Sequence, residues 1–235
     1  MELLGRSCVV VGASRGAGAA TAAALSRSGA RVAVMGRSTR DLASVRDSLS
    51  GDPTAHRAVK CDVTDPASVA SAFSGLRDGG VDVLIYAAGI GSFAAIRDTT
   101  DEVWNDTLAT NLTGLFFCLR AAEPMMNQGG KVVAISSGAS KRGISGLGAY
   151  CASKWALNGL METAAAEFEA NDVKVSTLVP GSILTDWAGP VADKIARRDK
   201  GGDKFLTPED VADAVVFLLC QSVTAHTAEM NLWPA

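Results

Sequence analysis

The 235-residue sequence predicts an α/β fold: a doubly wound parallel sheet of about seven strands with helices on both faces. Short β-branched runs alternate along the whole chain with longer, Ala-rich segments of helical period, as successive strand–helix–strand crossovers require. The first run, Ser7-Cys8-Val9-Val10-Val11, is apolar at consecutive positions, which suits a parallel strand covered on both faces. No Pro/Ser-rich linker or shift in composition interrupts the pattern, so residues 1–235 read as a single domain.

The elements follow in order. Strand Ser7–Val11 leads through a glycine-rich stretch into a helix near 17–28. Strands Arg31–Met35, His56–Cys61 and Val81–Tyr86 are followed by helices near 39–49, 66–77 and 101–127. Strand Lys131–Ser136 precedes a helix near 150–170, Val173–Val179 precedes one near 208–221, and Glu229–Leu232 is the last strand. Ligands of such sheets sit at the carboxyl ends of the strands, near the topological switch point. Residues that follow strands are therefore the site candidates.

Hydrophobic residues make up 48% and charged residues 20%, a globular balance, and the net charge of −3 with scattered basic residues argues against nucleic acid. The N-terminus lacks the pattern of a signal peptide, and no apolar run approaches the ~18–20 residues of a membrane span. Cys8, Cys61, Cys118, Cys151 and Cys220 are odd in number and contain no C-x-x-C, so they read as core residues in a reducing, cytoplasmic compartment. His56 and His226 lie far from any cysteine pair, which leaves no zinc pattern.

Gly12-Ala13-Ser14-Arg15-Gly16-Ala17-Gly18 follows the first strand and opens the first helix. Glycines there let the backbone bend and a pyrophosphate approach the helix N-terminal amides. The spacing is G-x-x-x-G-x-G, not G-x-G-x-x-G. After the second strand come Gly36, Arg37 and Ser38, with no carboxylate where NAD sites keep one. Arg37, and Arg15 in the turn, can pair with a 2′-phosphate, so the expected cofactor is NADP(H). Asp62, after the third strand, offers an acceptor to an adenine amino group; a helix-cap or turn role fits it nearly as well.

Tyr150 and Lys154 stand at i and i+4, on one face of a helix. A nearby ammonium is expected to lower the tyrosine pKa and fit it for proton transfer. Ser137 ends the fifth strand, where its hydroxyl can hold a substrate oxygen beside Tyr150. Asn111 is polar within an apolar helical stretch and needs a partner, either a backbone carbonyl or a water that relays protons to Lys154.

Together these residues resemble the short-chain dehydrogenases/reductases, in their small single-domain subclass with a Rossmann-like sheet. The resemblance runs through nearly the whole chain. The 12–18 segment is similar to the family's cofactor turn, Asp62-Val63 to its adenine-side pair, and Asn111, Ser137, Tyr150 and Lys154 to its catalytic tetrad. Pro180-Gly181-Ser182-Ile183-Leu184-Thr185 resembles its nicotinamide-side segment, where the Ile183 backbone and Thr185 hydroxyl hold the carboxamide. The resemblance also implies that Lys154 binds the nicotinamide ribose and that the adenosine ribose meets the backbone near Ala87 and Gly89. Two departures stand out. Tyr86-Ala87-Ala88-Gly89 replaces N-N-A-G, so strand-tethering bonds must come from elsewhere, and the terminal Glu229–Ala235 segment lacks the D-G-G of many relatives.

The expected reaction is hydride transfer between NADP(H) and a small-molecule carbonyl or alcohol carbon, most simply ketone reduction. Dehydration, epimerisation or isomerisation at the same site is the alternative, and a non-catalytic NADP sensor a remoter one. The expected pocket walls are Ser92 and Phe93, residues 139–147, and a lid over 186–205. Lys141, Arg142 and the lid's Lys194, Arg197, Arg198, Lys200 and Lys204 suggest either an electropositive mouth for an anionic substrate or a solvated basic face. The helix near 101–127 is apolar on nearly every side, which together with the resemblance predicts a homodimer or homotetramer.

Overall fold

The computed structural model describes residues 3–76, 79–187, 193–195 and 204–235. The seven strands are β1 (Ser7–Val11), β2 (Arg31–Gly36), β3 (Arg57–Lys60), β4 (Val81–Tyr86), β5 (Met126–Ile135), β6 (Lys174–Pro180) and β7 (Glu229–Leu232). They form one sheet in the order β3-β2-β1-β4-β5-β6-β7, and every neighbouring pair is parallel. The chain winds outward from β1 to β3, then returns to place β4 on the other side of β1. The switch point thus lies between the ends of β1 and β4.

The helices are α1 (Gly16–Arg27), α2 (Thr39–Asp47), α3 (Pro66–Ser74), α4 (Asp101–Leu108), α5 (Gly114–Ala122), α6 (Gly148–Phe168) and α7 (Pro208–Leu219). Strand residues alternate between two cores. Val9, Val11, Leu84 and Val132 pack with Phe73 of α3, Leu115 of α5 and Leu157 of α6. Cys8, Val10, Ile85 and Val133 pack with Leu25 of α1, Leu42 of α2 and Val215 of α7. This two-sided cover is why the strands read as unbroken apolar runs, and each large side chain so buried contributes about 1.5–3 kcal/mol.

The predicted helix near 101–127 is broken. After α4 the chain makes a π turn at Ala109–Thr113, resumes as α5, and ends in a 3₁₀ turn at Glu123–Met125. Pro124 supplies no N–H to continue the helix. β5 then starts at Met126, earlier than the expected Lys131, because a register shift opposite Val81 and Val83 accommodates the extra residues and Gly129 takes φ +73°. Among the described residues no helix is long and apolar enough to cross a membrane.

Candidate active site

A cleft of about 700 Å³ opens at the carboxyl ends of the central strands. At the switch point the turn after β1 meets the chain leaving β4. Gly12 has φ +83°, and a Cβ on it would stand 2.4 Å from the Ala88 nitrogen. A Cβ on Gly18 would stand 2.2 Å from the Gly12 carbonyl oxygen. Neither position admits a side chain.

Helix α1 has Arg15 as its N-cap, with no side-chain cap and no acidic residue in its first turn. Helices α2, α3, α4 and α7 are each capped by a side chain, from Ser38, Asp65, Thr100 and Thr207. The first amides of α1 thus lack the acceptor that those four helices receive, and the helix opens on the cleft where Ser14, Arg15, Gly16 and Gly18 line it. That donor set fits a pyrophosphate. Gly36 also lines the cleft, and its bare Cα admits the Ser14 hydroxyl, 2.7 Å from where a Cβ would be.

Arg37 lines the same end, with Asp62 and Val63. Burial raises the Asp62 carboxyl, but two hydrogen bonds from Thr64, at 2.8 and 3.0 Å, and the nearby Arg37 and Lys60 charges outweigh it and hold the group below its ordinary value. Asp62 therefore closes a turn with one oxygen. Ser38 does not line the cleft; its hydroxyl accepts the Asp41 N–H at 3.3 Å and caps α2. That capping bond is the structural reason to set Ser38 apart from the other candidates on this side.

Ser137, Tyr150 and Lys154 line the other end of the cleft. Ser137 begins the 3₁₀ turn Gly138–Ser140, and its hydroxyl is near enough to the Tyr150 phenol to favour the ionised form of that group. Tyr150 and Lys154 share one face of α6, with the Lys154 Nζ 5.7 Å from the ring centroid. The expected lowering of the Tyr150 pKa by Lys154 is not what the structure shows. Burial pushes the phenol up to about 12, and the opposing influence is the neighbouring Ser137 hydroxyl. The ammonium itself is depressed to about 8 by burial, and it donates to the Ile135 carbonyl at 2.8 Å. Two groups desolvated in the same wall each resist charge, and this outweighs their proximity.

Asn111 lies behind the cleft, wholly buried in the π turn. Its Oδ1 accepts the Ile90 N–H at 2.8 Å, and its Nδ2 donates to the Ile90 carbonyl and to Ser153 Oγ, both at 2.9 Å. The partner that its burial demanded is therefore the backbone of the β4–α4 connection. Asn111 Oδ1 and Lys154 Nζ both border the bare Cα of Gly89, 3.6 and 3.7 Å from where a Cβ would stand. No local pattern of residues shows how the missing asparagines of this segment are replaced. Tyr86 does it: its phenol, fully buried, donates to the Thr110 carbonyl in the π turn. The Ala87 N–H bonds the Val11 carbonyl at 2.8 Å, which ties β4 to β1.

Ala87 and Gly89, and Pro180, Gly181, Ile183 and Thr185, all line the cleft. Thr185 reaches back to the glycine turn, its methyl 3.3 Å from where a Cβ on Gly16 would be. Two tryptophans complete this end and were not singled out from sequence. Trp187 packs on Tyr150, ring centroids 4.5 Å apart, and Trp233 of the C-terminal segment lies on Gly138 and Gly181. Neither contact leaves a local sequence signal.

Of the basic residues expected around the mouth, Lys141 and Lys194 have partners among the described residues, and Lys204 is exposed. Lys141 forms an ion pair with Glu229 of β7. Lys194 is buried and donates to the Thr185 carbonyl at 2.6 Å and to the Trp187 carbonyl. Arg142 lines the cleft; Arg197, Arg198 and Lys200 lie outside the described residues.

The family model described as short chain dehydrogenase matches residues 6–196. A D-threitol dehydrogenase from Mycolicibacterium smegmatis is 34% identical over 226 residues, 92% of this chain and 86% of that protein. The carbonyl reductase family member 4 of Danio rerio is 33% identical over 92% of each chain. The crystal structure of a metagenomic short-chain oxidoreductase in complex with NADP superposes with a TM-score of 0.83 at 32% identity, covering 100% of this chain and 99% of that one. The match runs through the sheet, the glycine turn and helix α6 alike, and the chain belongs to the short-chain dehydrogenase family.

Proposed function

We propose that the protein is an NADP(H)-dependent ketoreductase that uses Tyr150 as its general acid. The observation that carries this reading is that Ser137, Tyr150 and Lys154 line one end of a cleft whose other end holds two arginines and no carboxylate after β2. When bound, the nicotinamide would supply the hydride to the carbonyl carbon. Ser137 and Tyr150 hold the carbonyl oxygen, and Tyr150 gives it a proton, leaving an alcohol. Burial keeps the Tyr150 phenol protonated through neutral pH, which suits a donor in the reductive direction. Lys154 places a cation next to the phenol as it loses that proton, and Asn111 fixes the Ile90 backbone beside Gly89 and Lys154.

Arg37 and Arg15 support NADP(H) over NAD(H), and a solved relative carries NADP. The relative named a carbonyl reductase supports ketone reduction. One sheet carries both the cofactor end and the catalytic end, so we take residues 1–235 as one binding and catalytic domain. The five free cysteines fit a reducing, cytoplasmic setting. The exposed apolar residues of α4, α5 and α6 fit a homo-oligomer.

The test is an NADPH-depletion screen over ketones, β-ketoacyl thioesters, quinones and aldehydes, repeated with Tyr150→Phe. Turnover of a carbonyl that falls by about 100-fold or more in the variant, with NADPH binding kept, is expected. Full activity in Tyr150→Phe overturns the acid assignment. Conversion of a substrate without net NADPH consumption points instead to isomerase or dehydratase chemistry.

A further inference from the structure

β7 lies parallel to β6 with Asn231 opposite Val179 and Leu232 opposite Pro180. The Gly181 N–H then bonds the Leu232 carbonyl at 2.8 Å. The Lys141–Glu229 ion pair fastens the start of β7 to the loop after Ser137. These bonds carry Trp233 across the strand ends into the wall of the cleft. Its ring rests on two glycines: a Cβ on Gly138 would stand 2.7 Å from Cη2, and one on Gly181 would stand 3.0 Å from Cε3. Gly138 directly follows Ser137, so the indole lies beside the residue that holds the substrate oxygen. Half of Trp233 stays exposed, at 50%.

A second indole flanks the other member of the pair. Trp187 packs on Tyr150, and a Cβ on Gly91 would stand 2.7 Å from its Cζ2. The ammonium of Lys194, bonded to the carbonyls of Thr185 and Trp187, holds this loop in place. Phe93, Ile144 and Leu147 supply further apolar lining. Besides Lys154, the charged residues that line this end of the cleft among the described residues are Arg142 and Asp186, one of each sign.

We propose that Trp233 and Trp187 form the walls of a substrate slot that takes a flat, apolar substituent, aromatic or fused-ring, on a neutral carbonyl compound. This rests on the reading of Ser137 and Tyr150 as the pair that holds the carbonyl oxygen. Flat aromatic faces gain from offset or tilted stacking on indole as well as from burial. A small aliphatic ketone reaches the same oxygen site but leaves both walls uncovered.

The test compares 2-acetylnaphthalene, 2-butanone and the anionic levulinate as substrates of the full chain with NADPH. Wild type should favour 2-acetylnaphthalene over 2-butanone by about tenfold or more in kcat/KM, since the extra rings cover the walls. Trp233→Ala should cut the 2-acetylnaphthalene value about tenfold and leave 2-butanone within about threefold, whereas Trp233→Phe should restore most of the loss. A merely structural role for Trp233 would lower both ketones together. Calorimetric binding of 2-acetylnaphthalene to Tyr150→Phe with NADP⁺, with and without Trp233→Ala, reads the slot without turnover. An aromatic preference that survives Trp233→Ala, an affinity that the substitution leaves unchanged, or a wild-type preference for levulinate overturns the proposal. If no ketone is consumed but binding still depends on Trp233, the slot stands and the reductase reading falls.

Discussion

The phenol of Tyr86, the last residue of β4, donates a hydrogen bond to the Thr110 carbonyl in the π turn that carries Asn111. A strand end and a helix defect are thereby joined behind the site. Tyr86→Phe leaves that carbonyl without its donor in a buried setting, at a cost of about 1–3 kcal/mol. For a chain of this size the thermal midpoint should fall by about 2–4 °C per kcal/mol. Calorimetry and initial rates together check this: a lowered midpoint with weakened turnover is expected, and an unchanged midpoint would mean that the bond is idle.

Arg37 lines the cleft beside Asp62 and follows β2 where an NAD site would hold a carboxylate. Arg37→Ala should weaken NADPH by about tenfold or more and leave NADH nearly unchanged, because only the former has a 2′-phosphate to lose. Fluorescence titration of both cofactors decides it. Equal losses would place Arg37 elsewhere in the site.

Lys154 carries a pH dependence of stability with a definite sign. Its pKa is about 8 in the folded protein against 10.5 for an ordinary lysine. Between those values the unfolded chain binds a proton that the folded chain does not, so this group makes stability rise with pH from about 8 to 10.5. Tyr150 acts in the opposite sense only above its ordinary value of 10. Urea unfolding of wild type and Lys154→Met at pH 7, 8, 9 and 10 should show a stability gap, in favour of the variant, that narrows as pH rises above 8. A constant gap would show that the ammonium is not desolvated.

The Lys141–Glu229 pair bears on substrate charge. With its charge balanced, Lys141 should not draw anions to the mouth. Lys141→Ala should leave the ratio of kcat/KM for matched anionic and neutral ketones within about twofold at low salt, since a paired, half-exposed charge contributes little net field. A large fall in the anionic value would restore the electropositive mouth.

Trp104 of α4, Phe116 of α5 and Trp155 of α6 are exposed at 41, 42 and 54%. Large apolar side chains so exposed are unfavourable in water and suit burial against a second copy of the chain. Light scattering at micromolar concentration should give a multiple of 24.2 kDa, and Trp155→Glu should reduce it. A monomeric wild type would refute the assembly.

The features legible in the chain alone are local ones. Apolar runs of strand length, a glycine turn after the first of them, and Tyr150 four residues before Lys154 all act over a few residues, where backbone geometry and side-chain period decide the outcome. The fold, and the expected site residues, which all line the cleft except Ser38 and Asn111, were legible for that reason. The packed structure settled what depends on contacts between distant segments. It broke the long apolar helix at Ala109–Thr113, where Asn111 could grip Ile90 and Tyr86 could reach Thr110. It brought Glu229 to Lys141 across 88 residues, and Trp233 onto Gly138. It also reversed the expected shift of Tyr150, because burial against the sheet raises the cost of ionisation beyond what a neighbouring lysine, itself desolvated and turned to the Ile135 carbonyl, offsets.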